Sequence, residues 1–174
     1  MKQYILSGLL AAPLFVACSS SPKLDTVPRV DLPRFMGDWY VIASIPTFIE
    51  KDIYNAVESY RLDDDGTIAT TFTFRKGGFD GKEKTYRPRG FVVNTETNAH
   101  WDMQFVWPFK SEFLIIHLDG EYRHTVIGRS KLDYLWIMSR KPVMPAPVYD
   151  AIIEKVKAVG YDTSRIRKVP QKWD

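Results

Sequence analysis

Three histidines and one cysteine are the side chains of this sequence whose types could support metal or nucleophilic chemistry. His100, His117 and His124 fall on three different predicted strands, without the short spacing that metal ligands share. Cys18 is the only thiol, and no Gly-x-Ser-x-Gly nucleophile motif occurs. We therefore expect a protein that is not an enzyme and that holds no metal ion and no cofactor. A Ser-His-Asp set assembled only by the fold stays open, because such residues meet in space rather than in sequence.

Two polar residues, Glu58 and His117, fall on predicted strands in register with apolar neighbours. If these faces point into the core, a buried carboxylate or imidazole costs several kcal/mol unless it is paired. A ligand head group, Arg87 or Arg89 would supply the partner for Glu58. Pairing with a neighbouring basic side chain, without any ligand, is the alternative.

The composition is that of a one-domain globular protein with an excess of aromatic residues. The 174 residues are 45% hydrophobic, 26% charged and 14% aromatic. A net charge of +3 without long runs of one sign argues against a nucleic-acid partner. One cysteine allows no disulfide within the chain, so the core alone has to hold the fold.

Short runs of aromatic and β-branched residues alternate with turn clusters, which is an all-β pattern. The eight predicted strands are 38–47, 54–62, 67–75, 84–94, 100–107, 112–118, 122–129 and 134–140. Short links between them predict antiparallel neighbours, whose apolar faces are hidden by a second sheet or by closure into a barrel. The longer segment 46–53, which carries Phe48 and Ile49, is a candidate lid or mouth loop.

A change of pattern after Arg140 predicts a single helix near the C-terminus. Val148, Ala151, Ile152 and Val156 lie on one apolar stripe, and Gly160 is suited to end the helix. The helix is expected to pack on the outside of the barrel wall. Residues 166–169 are a candidate for a short last strand.

The first eighteen residues have the pattern of a secretory signal, with Lys2 followed by an apolar stretch over 5–17. Residues 15–18 read FVAC and resemble the lipobox of bacterial lipoproteins. The resemblance implies removal of 1–17, lipidation of Cys18, a tether over 18–27 and a folded domain over 28–174. Ser19 resembles the pattern that directs lipoproteins of Gram-negative bacteria to the outer membrane. The expected location is that membrane, on its periplasmic side.

Two segments resemble the motifs of the lipocalin family. Residues 30–43 contain a short lead-in followed by Gly37-Asp38-Trp39, and 133–140 resembles the last barrel strand, which ends in Arg140. The third family motif is incomplete, since only its Asp remains, at Asp119. The resemblance is closest to the bacterial, apolipoprotein-D-like branch. It implies an eight-stranded antiparallel up-and-down β-barrel, with Arg140 packed over Trp39 and Gly37 in the barrel floor.

The lipocalin resemblance makes the aromatic excess a candidate lining for a small hydrophobic ligand. The candidate lining residues are Glu58, Tyr60, Phe72, Phe74, Trp101, Met103, Phe105, Phe113, Ile115, His117, Tyr134, Trp136 and Met138. A bulge of one residue would reverse the face of any of them. We expect a membrane-anchored protein that binds a fatty acid, a lysophospholipid or a similar amphiphile. A barrel enzyme acting on a lipophilic substrate, a structural lipoprotein with a filled core, and a homodimer stay open.

Overall fold

The computed structural model describes residues 24–173, in which ten strands form one antiparallel sheet. The strands are β1 (Gly37–Ile45), β2 (Ile53–Leu62), β3 (Thr67–Lys76), β4 (Glu83–Tyr86), β5 (Arg89–Val92), β6 (His100–Val106), β7 (Phe109–Leu118), β8 (His124–Gly128), β9 (Leu135–Ser139) and β10 (Arg167–Lys168). The helices are α1 (Leu32–Phe35) and α2 (Ala146–Ala158), with a 3₁₀ turn at Thr163–Arg165.

The sheet closes on itself because β9 pairs with β1 as well as with β8. Apart from β10, which pairs with β1, the remaining neighbours follow the chain, and β4 and β5 both pair with β3. Together β4 and β5 therefore occupy one of eight positions around the barrel. The predicted all-β fold, an eight-stranded antiparallel barrel with a C-terminal helix, is confirmed.

The sequence predicts one strand over 84–94, whereas the structure has two, β4 and β5. Arg87 and Pro88 separate them. A proline has no N–H group with which to continue a ladder. Its carbonyl still accepts a hydrogen bond from the Thr70 amide, at 3.1 Å. The interruption therefore leaves the barrel wall continuous.

Bulges determine which apolar residues face the barrel interior and which face α2. In β1 the register shifts between Val41 and Ala43. Trp39 and Val41 belong to the interior core, whereas Ala43 and Ile45 pack with the buried side chains of α2 outside the barrel. One strand thus contributes to both cores. The helix is fixed by this second core, to which it contributes Ile152 and Val156.

The barrel floor is closed by α1 and by the side chain of Arg140. The Arg140 guanidinium lies 3.8 Å from the centre of the Trp39 ring. It also donates hydrogen bonds to carbonyl oxygens of Arg34, Phe35, Asp38 and Tyr122, at 2.8 to 3.3 Å. Trp39 Nε1 donates to the Phe35 carbonyl at 2.9 Å. These contacts join α1, β1 and the β7–β8 turn to the end of β9.

The N-terminal part of the described chain runs along the barrel wall from the open end to the floor. Leu24 is buried, and its Cδ2 atom lies 3.0 Å from the position that a Cβ at Gly128 would take. The Val27 amide donates to the Ile115 carbonyl, and the Val30 amide to the Thr97 carbonyl. Residues 24–27, which the sequence places in the tether, therefore pack on the barrel. The predicted signal segment and Cys18 lie outside the described residues.

No helix among residues 24–173 has both the length and the apolar character needed to cross a membrane.

Candidate functional site

Aromatic side chains fill the lower half of the barrel interior. The rings of Trp101 and Phe113 stack with centroids 4.9 Å apart. Phe35 and Tyr60 pack against Trp101 with centroid distances of 5.4 and 5.8 Å, and Phe35 also contacts Trp39 at 5.0 Å. Offset and edge-to-face contacts of this kind stabilise a core beyond simple burial. Much of the aromatic excess therefore forms a packed barrel base.

Two carboxylates lie above this aromatic base, in the part of the interior nearer the open end. Glu58 is on β2, is 9% exposed, and accepts a hydrogen bond from the Tyr60 hydroxyl. Glu50 is on the β1–β2 loop and is 6% exposed. Trp136 Nε1 donates to Glu50 Oε1 at 2.7 Å, and the Thr47 amide donates to Oε2 at 2.8 Å. The loop thus places a second acid inside the barrel.

Burial disfavours the charged form of both acids. It raises the pKa of Glu58 to about 7, with a further increase from the charge of Glu50 and an opposing effect of the Tyr60 hydrogen bond. It also raises the pKa of Glu50, against the effect of the hydrogen bonds from Thr47 and Trp136. Burial in the barrel interior therefore makes the charged form of either acid energetically unfavourable.

A small cavity lies at these carboxylates. Its volume is about 30 Å³, and it is lined by Glu50, Glu58, Met103, Phe105, Ser111, Glu112, Phe113 and Trp136. Sites for drug-sized ligands occupy roughly 300 to 1,000 Å³. The cavity therefore accommodates a small chemical group, and an acyl chain needs additional space.

Two larger clefts lie at the barrel wall near its open end. One, of about 570 Å³, lies between the β3–β4 hairpin and the C-terminal tail, where Phe79 and Trp173 line it. The other, of about 480 Å³, lies between the β1–β2 loop and β10. Phe74 of the barrel interior also lines the first cleft, and Glu50 lines the second.

Most of the predicted lining residues lie in the barrel interior. The buried members are Glu58, Tyr60, Phe72, Phe74, Trp101, Met103, Phe113, Ile115 and Met138, and Trp136 is partly buried against them. Phe105 lines the small cavity but remains 50% exposed at the mouth. Tyr134 precedes β9, and its ring lies 5.2 Å from the guanidinium of Arg129.

The expectation that His117 points inward with Phe113 and Ile115 is wrong. A register shift between Ile115 and His117 turns the His117 side chain to the outer face of the barrel. There its Nδ1 atom lies 3.4 Å from Lys155 Nζ on α2. Burial, together with the lysine charge, lowers the pKa of His117.

A pairing of Glu58 with Arg87 or Arg89, one of the options open from sequence, is absent among the described residues. Arg89 faces outward and forms ion pairs with Asp63 and Asp65, while Arg87 is exposed. None of the ion pairs formed within residues 24–173 involves Glu58 or Glu50.

Glu50 is the interior residue that the sequence reasoning missed. Its only signal is its place in the long 46–53 segment, where it follows Phe48 and Ile49. An acid in a loop is ordinarily exposed. Only the fold of the loop over the barrel mouth brings its carboxylate to Trp136.

Exposed apolar side chains surround the open end of the barrel. Phe48 on the β1–β2 loop is 81% exposed, and Trp107 and Phe109 at the β6–β7 turn are 81% and 75% exposed. Lys51 and Lys110 are exposed beside them. Large exposed apolar groups around an opening are typical of surfaces that contact a partner or a membrane.

No group of three or more histidine, cysteine, aspartate and glutamate side chains within the described part of the chain has the arrangement of a metal site.

Comparisons with known proteins agree with the barrel geometry. The family profile for a lipocalin-like domain matches residues 30–171. The chain is 30% identical to temperature-induced lipocalin-1 of Arabidopsis thaliana, over 86% of this chain and 83% of that protein. It is also 30% identical to outer membrane lipoprotein Blc of Escherichia coli K12, over 96% of each chain.

Solved structures show the same fold at lower identity. Insecticyanin of the tobacco hornworm Manduca sexta superposes with a TM-score of 0.68 at 15% identity, over 89% of this chain and 87% of that chain. Lobster apocrustacyanin A1 gives a TM-score of 0.64 at 15% identity, over 81% and 79%. With the family profile covering nearly all of the described residues and the barrel closed by the Trp39–Arg140 contact, the chain belongs to the lipocalin family.

Proposed function

We propose that this protein binds an amphiphile, such as a fatty acid or a lysophospholipid, in the barrel and carries or stores it at the bacterial outer membrane. The observation that supports this best is the closed barrel with an apolar, aromatic interior and a small cavity near its mouth that contains two buried acids. Concave apolar sites with a few oriented polar groups are typical of small-molecule binding. The role is binding and transport rather than catalysis, and it includes the maintenance of membrane lipids.

The acyl chain of such a ligand has to displace side chains in the upper barrel, because the cavity of about 30 Å³ is too small for it. Met103 and Phe105 line that cavity, and Phe105 is half-exposed. Methionine side chains adapt easily to irregular spaces. The β1–β2 loop, which carries Glu50, covers the same space. Movement of these groups would open the route from the mouth.

Titration with a fluorescent fatty acid tests the proposed function. We expect saturable binding that quenches tryptophan emission, because Trp136 lines the cavity and Trp101 lies beneath it. The measurement is tryptophan fluorescence of the mature domain against ligand concentration.

Two variants distinguish interior binding from adsorption. Trp107→Phe removes an exposed tryptophan at the rim and should leave most of the quenching, whereas Trp136→Phe should reduce it. Absence of saturable binding by any acyl ligand would exclude the proposal. It would favour the structural lipoprotein with a filled core, a second candidate that the small interior cavity supports.

The proposed location rests on the relatives named outer membrane lipoproteins and on the lipobox-like residues 15–18. Leu24, at the open end, is six residues after Cys18, and that length reaches at most about 20 Å. Lipidation of Cys18 would therefore hold the open end, with its exposed Trp107 and Phe109, close to the bilayer. Such an orientation would let an amphiphile pass between membrane and barrel without crossing bulk water.

Replacement of the lipidation site is expected to release the protein from membranes. Cys18→Ser prevents acylation, and one anchored acyl chain contributes about 0.8 kcal/mol for each buried methylene. The measurement is the distribution of the protein between membrane and soluble fractions, with Ser20→Ala as the control that should stay membrane-bound. Residual vesicle binding by Cys18→Ser should fall further when Trp107 and Phe109 are both replaced by serine. Unchanged membrane fractionation of Cys18→Ser would contradict the anchor.

A further inference from the structure

We infer that the cavity beside Glu50 and Glu58 is a subsite for a positively charged ammonium head group, so that the preferred ligand is a cationic or zwitterionic amphiphile and not a free fatty acid. This inference rests on the proposed function, and it names the class of head group that the same site takes.

The titratable residues that line the cavity are all acids: Glu50, Glu58 and Glu112. Glu112 is satisfied by the backbone amide and hydroxyl of Ser130, at 2.6 and 2.9 Å. Glu50 and Glu58 have no ion-pair partner among the described residues. An unpaired buried charge is costly, and a ligand cation in contact with these two acids would offset the cost of their charged forms.

Glu58 has a carboxylate oxygen that accepts no hydrogen bond from the described residues. Tyr60 donates to its Oε2 atom, and no hydrogen bond from residues 24–173 reaches its Oε1 atom. Both oxygens of Glu50 are held, by Trp136 and by Thr47, so that its carboxylate keeps one orientation. Each of the two side chains is more than nine-tenths buried. The arrangement is a fixed carboxylate beside a second carboxylate with an unused acceptor.

Aromatic rings complete the surroundings that a cation requires. Phe105, Phe113 and Trp136 line the same cavity as the two acids. Aromatic faces attract ammonium groups through the ring quadrupole, and quaternary ammonium ligands are commonly recognised by such rings. A volume of about 30 Å³ is also suited to a compact head group rather than to an acyl chain. Charge, rings and size thus favour the same class of group.

A carboxylate head group in this cavity would be repelled rather than attracted. Its negative charge would lie beside Glu50 and Glu58 in a desolvated space, where like charges repel strongly. The other charged and titratable groups near this space are Tyr60, Glu112 and, from the floor, Arg140, whose charge acts on Tyr60. None of them gives the cavity a cation that faces the ligand. A fatty acid carboxylate would therefore bind there more weakly than a cation with the same chain.

Three probes with the same dodecyl chain test the inference on the mature domain: dodecyltrimethylammonium, dodecanoate and dodecanol, each below its aggregation concentration. Binding is measured by calorimetry at pH 8, and folding is checked by circular dichroism. We expect dodecyltrimethylammonium to bind about tenfold more tightly than dodecanoate, with dodecanol between them. The preference should shrink at pH 5, where Glu58 is protonated.

Variants assign the preference to the two acids. In Glu50→Gln/Glu58→Gln the preference for the cation should be lost while dodecanol binding persists. Glu96→Gln, which removes one negative charge from an exposed turn at the closed end, should retain the preference. Equal binding of all three probes, or tighter binding of dodecanoate, would overturn the inference and leave the proposed function standing. Absence of binding by every probe would overturn both.

Discussion

Trp39→Ala is expected to lower the free energy of unfolding by about 3 to 5 kcal/mol, as truncations of large buried aromatic residues do. The Trp39 side chain is fully buried, and its ring packs against Phe35 and beneath the Arg140 guanidinium, 3.8 Å away. Its removal takes away the hydrogen bond to the Phe35 carbonyl and the apolar face that shields the guanidinium. Urea unfolding at neutral pH, with and without the substitution, measures the effect.

Trp107→Ala is the matched control, because the same side chain is removed from a position that is 81% exposed. Exposed substitutions usually change stability by no more than about 0.5 kcal/mol. Similar losses in the two variants would show that Trp39 does not hold the barrel floor.

Glu58→Gln is expected to change the pH dependence of stability by about 2.5 kcal/mol between pH 5 and pH 8. The pKa of Glu58 is raised from 4.5 to about 7, mainly by burial. Between these values the folded protein holds a proton that the unfolded chain releases, so the stability of the wild type falls as the pH rises through this window. A pKa difference of one pH unit corresponds to about 1.4 kcal/mol, which gives the expected size.

The measurement is urea unfolding of both proteins at pH 5 and at pH 8. At pH 5 glutamine replaces a protonated acid, and the two proteins should differ little. At pH 8 the variant should be the more stable one, because it has no buried charge. Any fixed packing cost of glutamine is the same at both pH values and cancels from the comparison.

Asp65→Asn is the control for this experiment. Hydrogen bonds from Thr67 lower the pKa of Asp65, so its carboxylate stays ionised throughout the range from pH 5 to pH 8. Its replacement should change stability by the same amount at both pH values. A constant difference between wild type and Glu58→Gln would show that Glu58 titrates as an ordinary exposed acid.

The fold was predictable from sequence because its determinants are local. Alternation of apolar and polar residues locates strands such as β6, and short turn segments make consecutive strands antiparallel neighbours. The Gly37-x-Trp39 motif lies at the start of the barrel sequence and Arg140 at its end. The lipocalin resemblance predicts that Arg140 packs over Trp39. Their contact at 3.8 Å is a property of the closed barrel, which no local pattern encodes.

The candidate site was less predictable because bulges and loops determine it. The face of Trp101 and Met103 follows from strand alternation, and both residues lie inside the barrel. The face of His117 does not follow, since one extra residue in β7 reverses it. Glu50 reaches the interior only through the path of a long loop, and the interior volume depends on how the aromatic rings pack against one another. These are tertiary properties.

Closure of the floor by Arg140 also has a consequence for the order of folding. Arg140 binds the carbonyl of Arg34, which is 106 residues earlier, and β9 completes the wall by pairing with β1. A chain that emerges from its N-terminus first therefore cannot close the barrel until β9 has emerged. Proteins dominated by such distant contacts fold slowly, in roughly milliseconds to seconds. The barrel therefore forms in a late step, after almost all of the chain is available for pairing.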